Sequence, residues 1–335
     1  MAVSIKNVAE QAGVSAGTVS KVLNQASGFS VPDDTRRRIH RVASQLGYVP
    51  NRMARSLGKG RSETIGVIVS GLRNPFFADL VETAEMLAAQ AGYHALIEVT
   101  PEKSSASIRP GNLSGWPVDG MIVWTNHWVT LHDKSSLRAY DGPIVYLGYP
   151  RNDGSDWVAF DLYGGGRDVV EHVFDTGRSK VWYVTPYEVQ IPTLIEDRMR
   201  AYVDVCRERG VEPHIVATER EEESREMGIE LGLSIAALAP ADRPEALICH
   251  NDIIAVGVYH GLRRAGIRVP DEIALTGFDG SSEGQCLDLP LTSMLTSPSE
   301  MCRIALDVLL GRIRGVPAES SARLIRGTLL RGGTT

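Results

Sequence analysis

Two groups of side chains in this sequence have types and spacings that could do chemistry. The first lies within one short stretch. Ser15, Thr18, Ser20, Lys21 and Asn24 offer hydroxyl, amide and ammonium donors, with Ala16 and Gly17 set among them. Such a set can hold phosphate oxygens and touch the edges of base pairs. The second group sits where short apolar runs end. Asn74, Phe76 and Phe77 follow Ile65–Val69, Trp124 closes Gly120–Trp124, and Asp161 follows Val158–Phe160. Asn251 and Asp252 follow Ala246–Cys249, and Asp279 follows Ala274–Phe278. Aromatic faces at such positions can stack on a sugar or purine ring, and a carboxylate there can accept two hydroxyl hydrogens. Each also has a second reading: Phe76 and Phe77 as core, Trp124 as sheet interior, Asp161 and Asp252 as helix caps, Asp279 as a turn residue.

Neither group is a catalytic set. An enzyme needs a nucleophile, a base and an orienting group brought together, and the chain has no G-x-S-x-G, no P-loop and no G-x-G-x-x-G. Gly164-Gly165-Gly166 falls at a helix start and is not a phosphate loop. Cys206, Cys249, Cys286 and Cys302 are scattered without C-x-x-C spacing, and the histidines form no H-x-x-x-H pair. The expectation is a non-enzyme with reduced thiols, no metal site and no cofactor.

Charge separates the two groups. The overall charge of −6 argues against nucleic acid, but its distribution reverses that reading. Residues 1–61 carry ten Lys/Arg against Glu10, Asp33 and Asp34, a net +7, which leaves −13 on the rest. A basic arm on an acidic body is what a protein needs when one end alone meets phosphates. Apolar content of 43% is that of a globular protein. No apolar run reaches the roughly 20 residues of a membrane span. The N-terminus lacks a signal-peptide pattern, so a cytoplasmic location is expected.

The elements that must position these residues can be read from periodicity. A helix over Ile5–Ala12 has Ser4 as its cap, an apolar face of Ile5, Val8, Ala9 and Ala12, and Gly13 as its stop. A second over Ala16–Leu23 has Ser15 as cap and turns Val19, Val22 and Leu23 inward. Two helices joined by Gly13-Val14-Ser15 make a helix-turn-helix whose second member enters the major groove. A third helix, with Ser30 as expected cap, Pro32 in its first turn and Gly47 at its end, closes a small core. After Gly60, apolar runs alternate with helical patterns. Strands are expected at 65–69, 94–99, 120–124, 144–147, 158–160, 181–185, 246–249 and 274–278. Helices are expected near Phe76, Tyr163, Leu194, Ser224, Asp252 and Pro298. That alternation predicts α/β architecture with parallel sheets.

Val8 to Asn24, read as V-A-E-Q-A-G-V-S-x-x-T-V-S-K-V-L-N, and Tyr48 to Leu57, read as Y-V-P-N-R-x-A-R-x-L, resemble the lactose-repressor (LacI/GalR) family, strongly over residues 3–60 and more loosely afterwards. The resemblance implies an all-α three-helix helix-turn-helix headpiece with a hinge helix. An α/β two-lobed sensor domain like a type I periplasmic binding protein follows. The expected boundaries are 1–48 for the headpiece, 49–61 for the hinge and linker, and 62–335 for the sensor. Within the sensor, lobe one is expected over about 62–161 and 292–320, and lobe two over about 162–291 and 321–330. The resemblance implies base readout by Ala16, Gly17 and Lys21, with Ser15, Thr18, Ser20 and Asn24 mostly holding phosphates. It implies a hinge helix over Pro50–Leu57 in which Asn51, Ala54 and Leu57 form the pairing and wedging face and Arg52 and Arg55 lie near the DNA backbone. It also places Arg198, in R-M-R-A-Y, at the family's ligand-binding arginine, a multi-donor fork suited to paired hydroxyls or a carboxylate. Asn74, Phe76, Asn251 and Asp252 fall in matching motifs.

The implied function is a transcription regulator, acting as a repressor on a palindromic double-stranded DNA operator. It is a homodimer or higher oligomer, and a small effector of sugar type binds between the lobes. A regulator co-repressed by a purine or a phosphorylated metabolite, and an activator on the same scaffold, stand as alternatives. The sequence departs from the family over Pro101–Pro117, at Trp124–Trp128 and at Thr176–Lys180, which leaves the ligand class open.

Overall fold

The computed structural model describes residues 3–24, 28–49, 61–100, 118–125, 140–150, 153–186, 196–217, 224–317 and 319–335. Contacts divide the chain into one unit over Met1–Ser62 and another over Glu63–Thr335.

Among its described residues the small unit holds three helices, α1 (Ile5–Ala12), α2 (Ala16–Leu23) and α3 (Asp33–Gln45). At the start of α1 the Asn7 side chain folds back to accept from the Ser4 N–H at 2.9 Å. Gly13, at φ +65°, ends that helix in the left-handed conformation that glycine adopts without a Cβ clash. Ser15 caps α2 by accepting from Thr18 N at 3.0 Å. The expected cap of the third helix differs. Its first turn begins at Asp33, Pro32 occupies the cap position without a side-chain acceptor, and Ser30 lies outside. Asp33 and Asp34 supply negative charge beside the helix's unpaired N–H groups instead. Val8, Val19, Val22, Ile39 and Val42 form the core. The Arg38 guanidinium donates to the Ala12 carbonyl at 3.0 Å, fastening α3 to the end of α1.

The large unit contains two six-stranded sheets. The first runs β2 (His94–Val99), β1 (Thr64–Val69), β3 (Gly120–Trp124), β4 (Ile144–Gly148), β5 (Asp156–Phe160), β11 (Ala322–Ile325), all parallel. The second runs β7 (His214–Ala217), β6 (Val181–Thr185), β8 (Ala246–Cys249), β9 (Ala274–Asp279), β10 (Thr292–Leu295), β12 (Thr328–Leu330), with only β12 antiparallel. The sequence expectation put 292–295 with the first lobe and 321–330 with the second. The structure instead pairs β10 with β9 and β11 with β5, while Thr328–Leu330 of the second range joins the second sheet as expected, against β10.

Parallel strands are buried on both faces and so read as continuous apolar runs. In β8, Ala246 and Ile248 face one helical layer while Leu247 and Cys249 face the other. The first layer is α5 (Leu162–Asp175) with α6 (Asp197–Glu208), and the second is α7 (Arg225–Ala236) with α8 (Asp252–Arg264). Those last two helices approach through Gly228, Gly232, Gly257 and Gly261. A Cβ on Gly257 would lie 2.2 Å from the Arg225 carbonyl and 2.8 Å from the Gly228 Cα. In the first lobe, α4 (Pro75–Gln90) and α10 (Pro298–Ile313) cover one sheet face with Phe77, Leu80, Ala84, Met301, Leu306 and Leu309. A short helix, α9 (Ser282–Gln285), follows β9.

Among the described residues the chain passes between the lobes after β5, after β10 and between β11 and β12. The three passages touch. Asp161 N–H donates to the Ile325 carbonyl at 2.8 Å. Gly327 lies so close to the second passage that a Cβ there would meet the Leu295 carbonyl at 2.9 Å.

Candidate DNA-reading surface and effector cleft

The outer surface of α2 carries the first chemical group. Ser15, Gly17 and Lys21 are exposed, and Ala16, Thr18, Ser20 and Asn24 are partly so. Ser15 and Thr18 hydroxyls share a hydrogen bond at 2.9 Å, and Asn24 donates from Nδ2 to Ser20 Oγ at 3.2 Å. The Lys21 ammonium lies 4.8 Å from the centre of the Phe29 ring, which steadies a flexible stem without consuming its donors. Gly17 has no packing reason to be glycine, because a Cβ would meet only Ser15 Oγ, at an ordinary 3.7 Å. The result is a shallow gap in an otherwise polar face. The hinge residues Asn51, Arg52, Ala54, Arg55 and Leu57 lie outside the described residues.

Each large sheet changes winding direction at one place, between β1 and β3 in the first and between β6 and β8 in the second. At such a switch point the connections leave on opposite faces and a crevice opens at the carboxyl ends of the strands. In lobe one that crevice is edged by Asn74, which caps α4 by accepting from Phe76 N at 3.0 Å, and by Trp124. Phe76 and Phe77 are only 8% and 6% exposed, and both meet the Trp124 ring edge-on, at 5.2 and 5.0 Å between centroids. Their faces serve the core, and Trp124 is the partly exposed member of the trio. Gly148, at φ +104°, lets β4 end against the indole, where a Cβ would press on the Thr125 carbonyl.

In lobe two, Arg198 is held on three sides. Its Nε donates to Glu196 Oε1 at 2.9 Å, Nη1 to the His250 carbonyl at 2.7 Å, and Nη2 meets His250 Nε2 at 2.7 Å. The guanidinium also lies 5.0 Å from the centre of the Phe278 ring. Because a guanidinium only donates, His250 Nε2 accepts and the neutral ring carries its proton on Nδ1. That proton faces the Tyr183 hydroxyl at 3.2 Å. Burial first, and the Arg198 charge second, hold the His250 pKa well below its ordinary value. Burial works against the charge on Arg198, but Glu196, Tyr183, Tyr149 and Asp279 more than offset it and raise its pKa. Tyr149 follows β4, so the first lobe contributes to the electrostatic surroundings of an arginine from the second.

The remaining candidates are engaged within the fold. Both carboxylate oxygens of the fully buried Asp252 are used, Oδ1 by the Ser293 hydroxyl and Oδ2 by the Ser281 N–H, each at 2.6 Å. Burial raises its pKa, and these hydrogen bonds lower it again in part. Asn251 caps α8 by accepting from Ile254 N at 3.2 Å. Asp161 caps α5, accepting from Gly164 N at 2.8 Å, and pairs with Arg326 at 3.2 Å across the lobe passages. Asp279 has φ +128° at the end of β9, an unusual conformation for a residue with a side chain, and its carbonyl accepts from Thr296 N at 3.0 Å. Sequence reasoning missed Glu196, His250, Tyr183, Phe278 and Tyr149. A usable signal existed for His250 alone, which adjoins the Asn251-Asp252 motif at a strand end.

This geometry coincides with what comparison reveals. Residues 4–51 match the domain description "Bacterial regulatory proteins, lacI family", and residues 170–335 match "Periplasmic binding protein-like domain". The chain carries a lacI-family DNA-binding domain and a periplasmic-binding-protein-like domain. Among curated lacI-family relatives, the ribose operon repressor of Haemophilus influenzae is 27% identical over 327 residues, covering 96% of this chain and 95% of that one. The repressor CytR of Escherichia coli is 27% identical, covering all of this chain and 96% of its own length. The repressor PurR of Photobacterium profundum is 28% identical, covering 93% and 92%. Among solved lacI-family structures, a Lac repressor dimer bound to operator and the anti-inducer ONPF superimposes with a TM-score of 0.81 at 23% identity, over 100% of this chain and 99% of that one. A complex of the regulator CelR with cellobiose gives a TM-score of 0.67 at 24% identity, over 99% and 100%. These likenesses fix the lacI architecture of headpiece followed by two parallel-sheet lobes. No helix among the described residues is long and apolar enough to cross a membrane.

Proposed function

We propose that the chain is a cytoplasmic, homodimeric transcription repressor whose operator affinity is set by a small sugar-type effector held between the two lobes. One observation carries this reading. The same chain places an open donor-bearing helix on a basic headpiece and an oriented guanidinium at the switch point of a two-lobed body. Operator recognition belongs to α2, with Lys21 donating to a base edge and Ser15, Thr18, Ser20 and Asn24 setting register on phosphates. Two headpieces in successive major grooves would require a palindrome. The hinge segment, with Leu57 as its minor-groove wedge, is proposed on the resemblance of Asn51–Leu57. The name of the ribose operon repressor and the cellobiose complex of CelR support an effector of sugar type.

In the cleft, Arg198 grips polar groups while Trp124 offers an apolar face. Effector binding changes lobe closure and therefore the spacing of the headpieces, and DNA must oppose the effector by the same factor. The test is selection of duplexes from a random pool with the full chain, then titration of the selected duplex with and without sugars and nucleosides. The expected outcome is a palindrome whose affinity shifts about 5- to 150-fold with one compound. Failure to enrich any sequence would refute operator recognition, and an effector that binds without moving operator affinity would refute the coupling.

A further inference from the structure

The surroundings of Arg198 go further than the presence of an arginine. A guanidinium has five N–H donors, and three of them are already used, one on Glu196, one on the His250 carbonyl and one on the His250 ring. Two donors remain, one on each terminal nitrogen. The Phe278 ring lies 5.0 Å from the guanidinium carbon, and His250 takes one donor from each terminal nitrogen, so each terminal nitrogen keeps one further donor.

The charge of that group is a separate matter. Glu196 is 4% exposed and its carboxylate lies 2.9 Å from Arg198 Nε, so it accompanies the guanidinium as a permanent counter-ion. The Arg198 side chain is itself 14% exposed. Glu196 is fixed in place by a second duty, accepting from Arg198 N at 2.9 Å at the first turn of α6. His250 beside it is neutral by the donor argument above, and Asp279 adds a further negative charge nearby. The wall that Arg198 presents is therefore uncharged in sum, or negative when Asp279 is counted.

We infer that Glu196 is a specificity-determining and positioning residue. It holds Arg198 in place and cancels its charge, so that the remaining donors select an uncharged polyhydroxyl effector and reject phosphorylated or carboxylated compounds of the same shape. An anion on those donors would gain hydrogen bonds, but it would sit near the Glu196 carboxylate, where the dielectric is low and like charges repel strongly. A sugar's hydroxyls would accept from the same donors without the repulsion. The inference rests on the reading of Arg198 as the effector-facing group.

The test uses the full chain, inorganic phosphate as the anion, and no DNA or effector, so its failure is distinct from failure of operator recognition. Melting temperatures are recorded against phosphate at constant ionic strength for five proteins: wild type, Glu196→Gln, Glu196→Asp, Arg198→Gln, and Glu196→Gln combined with Arg198→Gln. Phosphate stabilises all proteins somewhat by exclusion from their surfaces, and the doubly substituted protein supplies that baseline. Gln keeps the helix-capping oxygen, removes the charge and replaces the oxygen that meets Arg198 Nε with an amide nitrogen, whereas Asp keeps the charge. The expected result is a saturable stabilisation above baseline in Glu196→Gln alone, with wild type and Glu196→Asp on the baseline. Saturable phosphate binding by the wild type, abolished by Arg198→Gln alone, would overturn the inference. So would a Glu196→Gln protein that gains no phosphate response. Should Glu196→Gln fail to fold, the wild-type and Arg198→Gln titrations still decide whether the native wall excludes an anion.

Discussion

A histidine that cannot take a proton makes a protein weaker in acid, and His250 is such a residue. Its ring is 2% exposed, Nε2 accepts from the Arg198 guanidinium at 2.7 Å, and Nδ1 faces Tyr183 at 3.2 Å and Glu196 Oε2 at 3.9 Å. Protonating Nε2 would set N–H against N–H and place a positive charge beside Arg198. Burial is the larger penalty and the guanidinium the second, and together they lower the folded-state pKa well below the ordinary 6.5. The sign follows from proton counting. Below pH 6.5 the unfolded chain binds a proton at this residue and the folded chain does not, so stability is fully present above 6.5 and falls as pH drops. The slope is about 1.4 kcal/mol per pH unit, a factor of ten in the folding equilibrium, until the folded-state pKa is reached.

Urea unfolding at pH 7.5, 6.5 and 5.5, compared between wild type and His250→Gln, isolates this residue. Glutamine can still accept from Arg198 and does not titrate, while His172, Asp252 and the surface groups contribute to both proteins alike. Wild type is expected to lose about 1 kcal/mol more than the variant between pH 6.5 and 5.5, and about 1.4 kcal/mol more between pH 7.5 and 5.5. Parallel pH profiles would mean that His250 is not held neutral, and the orientation of Arg198 derived from it would fall.

Three other substitutions test packing and recognition. Gly257→Ala should lower the melting temperature, because the gain of about 1 kcal/mol in helix propensity is outweighed by pushing α8 off the Arg225 carbonyl, an overpacking cost of about 1–3 kcal/mol or more. Gly311→Ala in α10, where a Cβ would meet nothing within 4 Å, should raise it, and thermal melts of the pair check both signs. Gly17→Ala should stabilise the headpiece by roughly 0.5–1 kcal/mol while changing which duplexes are enriched from a random pool. Unchanged enrichment would mean that the gap on α2 does not face base edges.

Much of this architecture was legible in local pattern. α1 and α2 announced themselves by apolar residues at helical spacing between Ser4 or Ser15 and a following stop, and β1, β3 and β8 by short apolar runs. What local pattern cannot carry is partnership. Thr292–Leu295 and Ala322–Ile325 are strands of similar appearance, and nothing in either names the sheet it joins. Their sheets are fixed by backbone pairing with β9 and β5.

The site divides in the same way. Arg198 and Trp124 stand at strand and helix ends where the sequence put them. The fate of Asp252 was settled by Ser281 and Ser293, 29 and 41 residues away. Glu196 was unreadable for a different reason. Two residues before Arg198 it looks like an ordinary helix-start acid, and only the folded backbone turns its carboxylate onto the guanidinium.

The three touching passages between the lobes have a mechanical consequence. A joint made of one strand can swivel in any direction, whereas three straps bonded side by side resist twist and sliding and yield to bending. Asp161 gripping Ile325, and Gly327 seated on Leu295, make the straps move as one leaf. The lobes therefore have one easy angular coordinate. A ligand that changes the cleft by a fraction of an ångström near this leaf is read out as a larger swing at the far ends of both lobes, in a fixed plane.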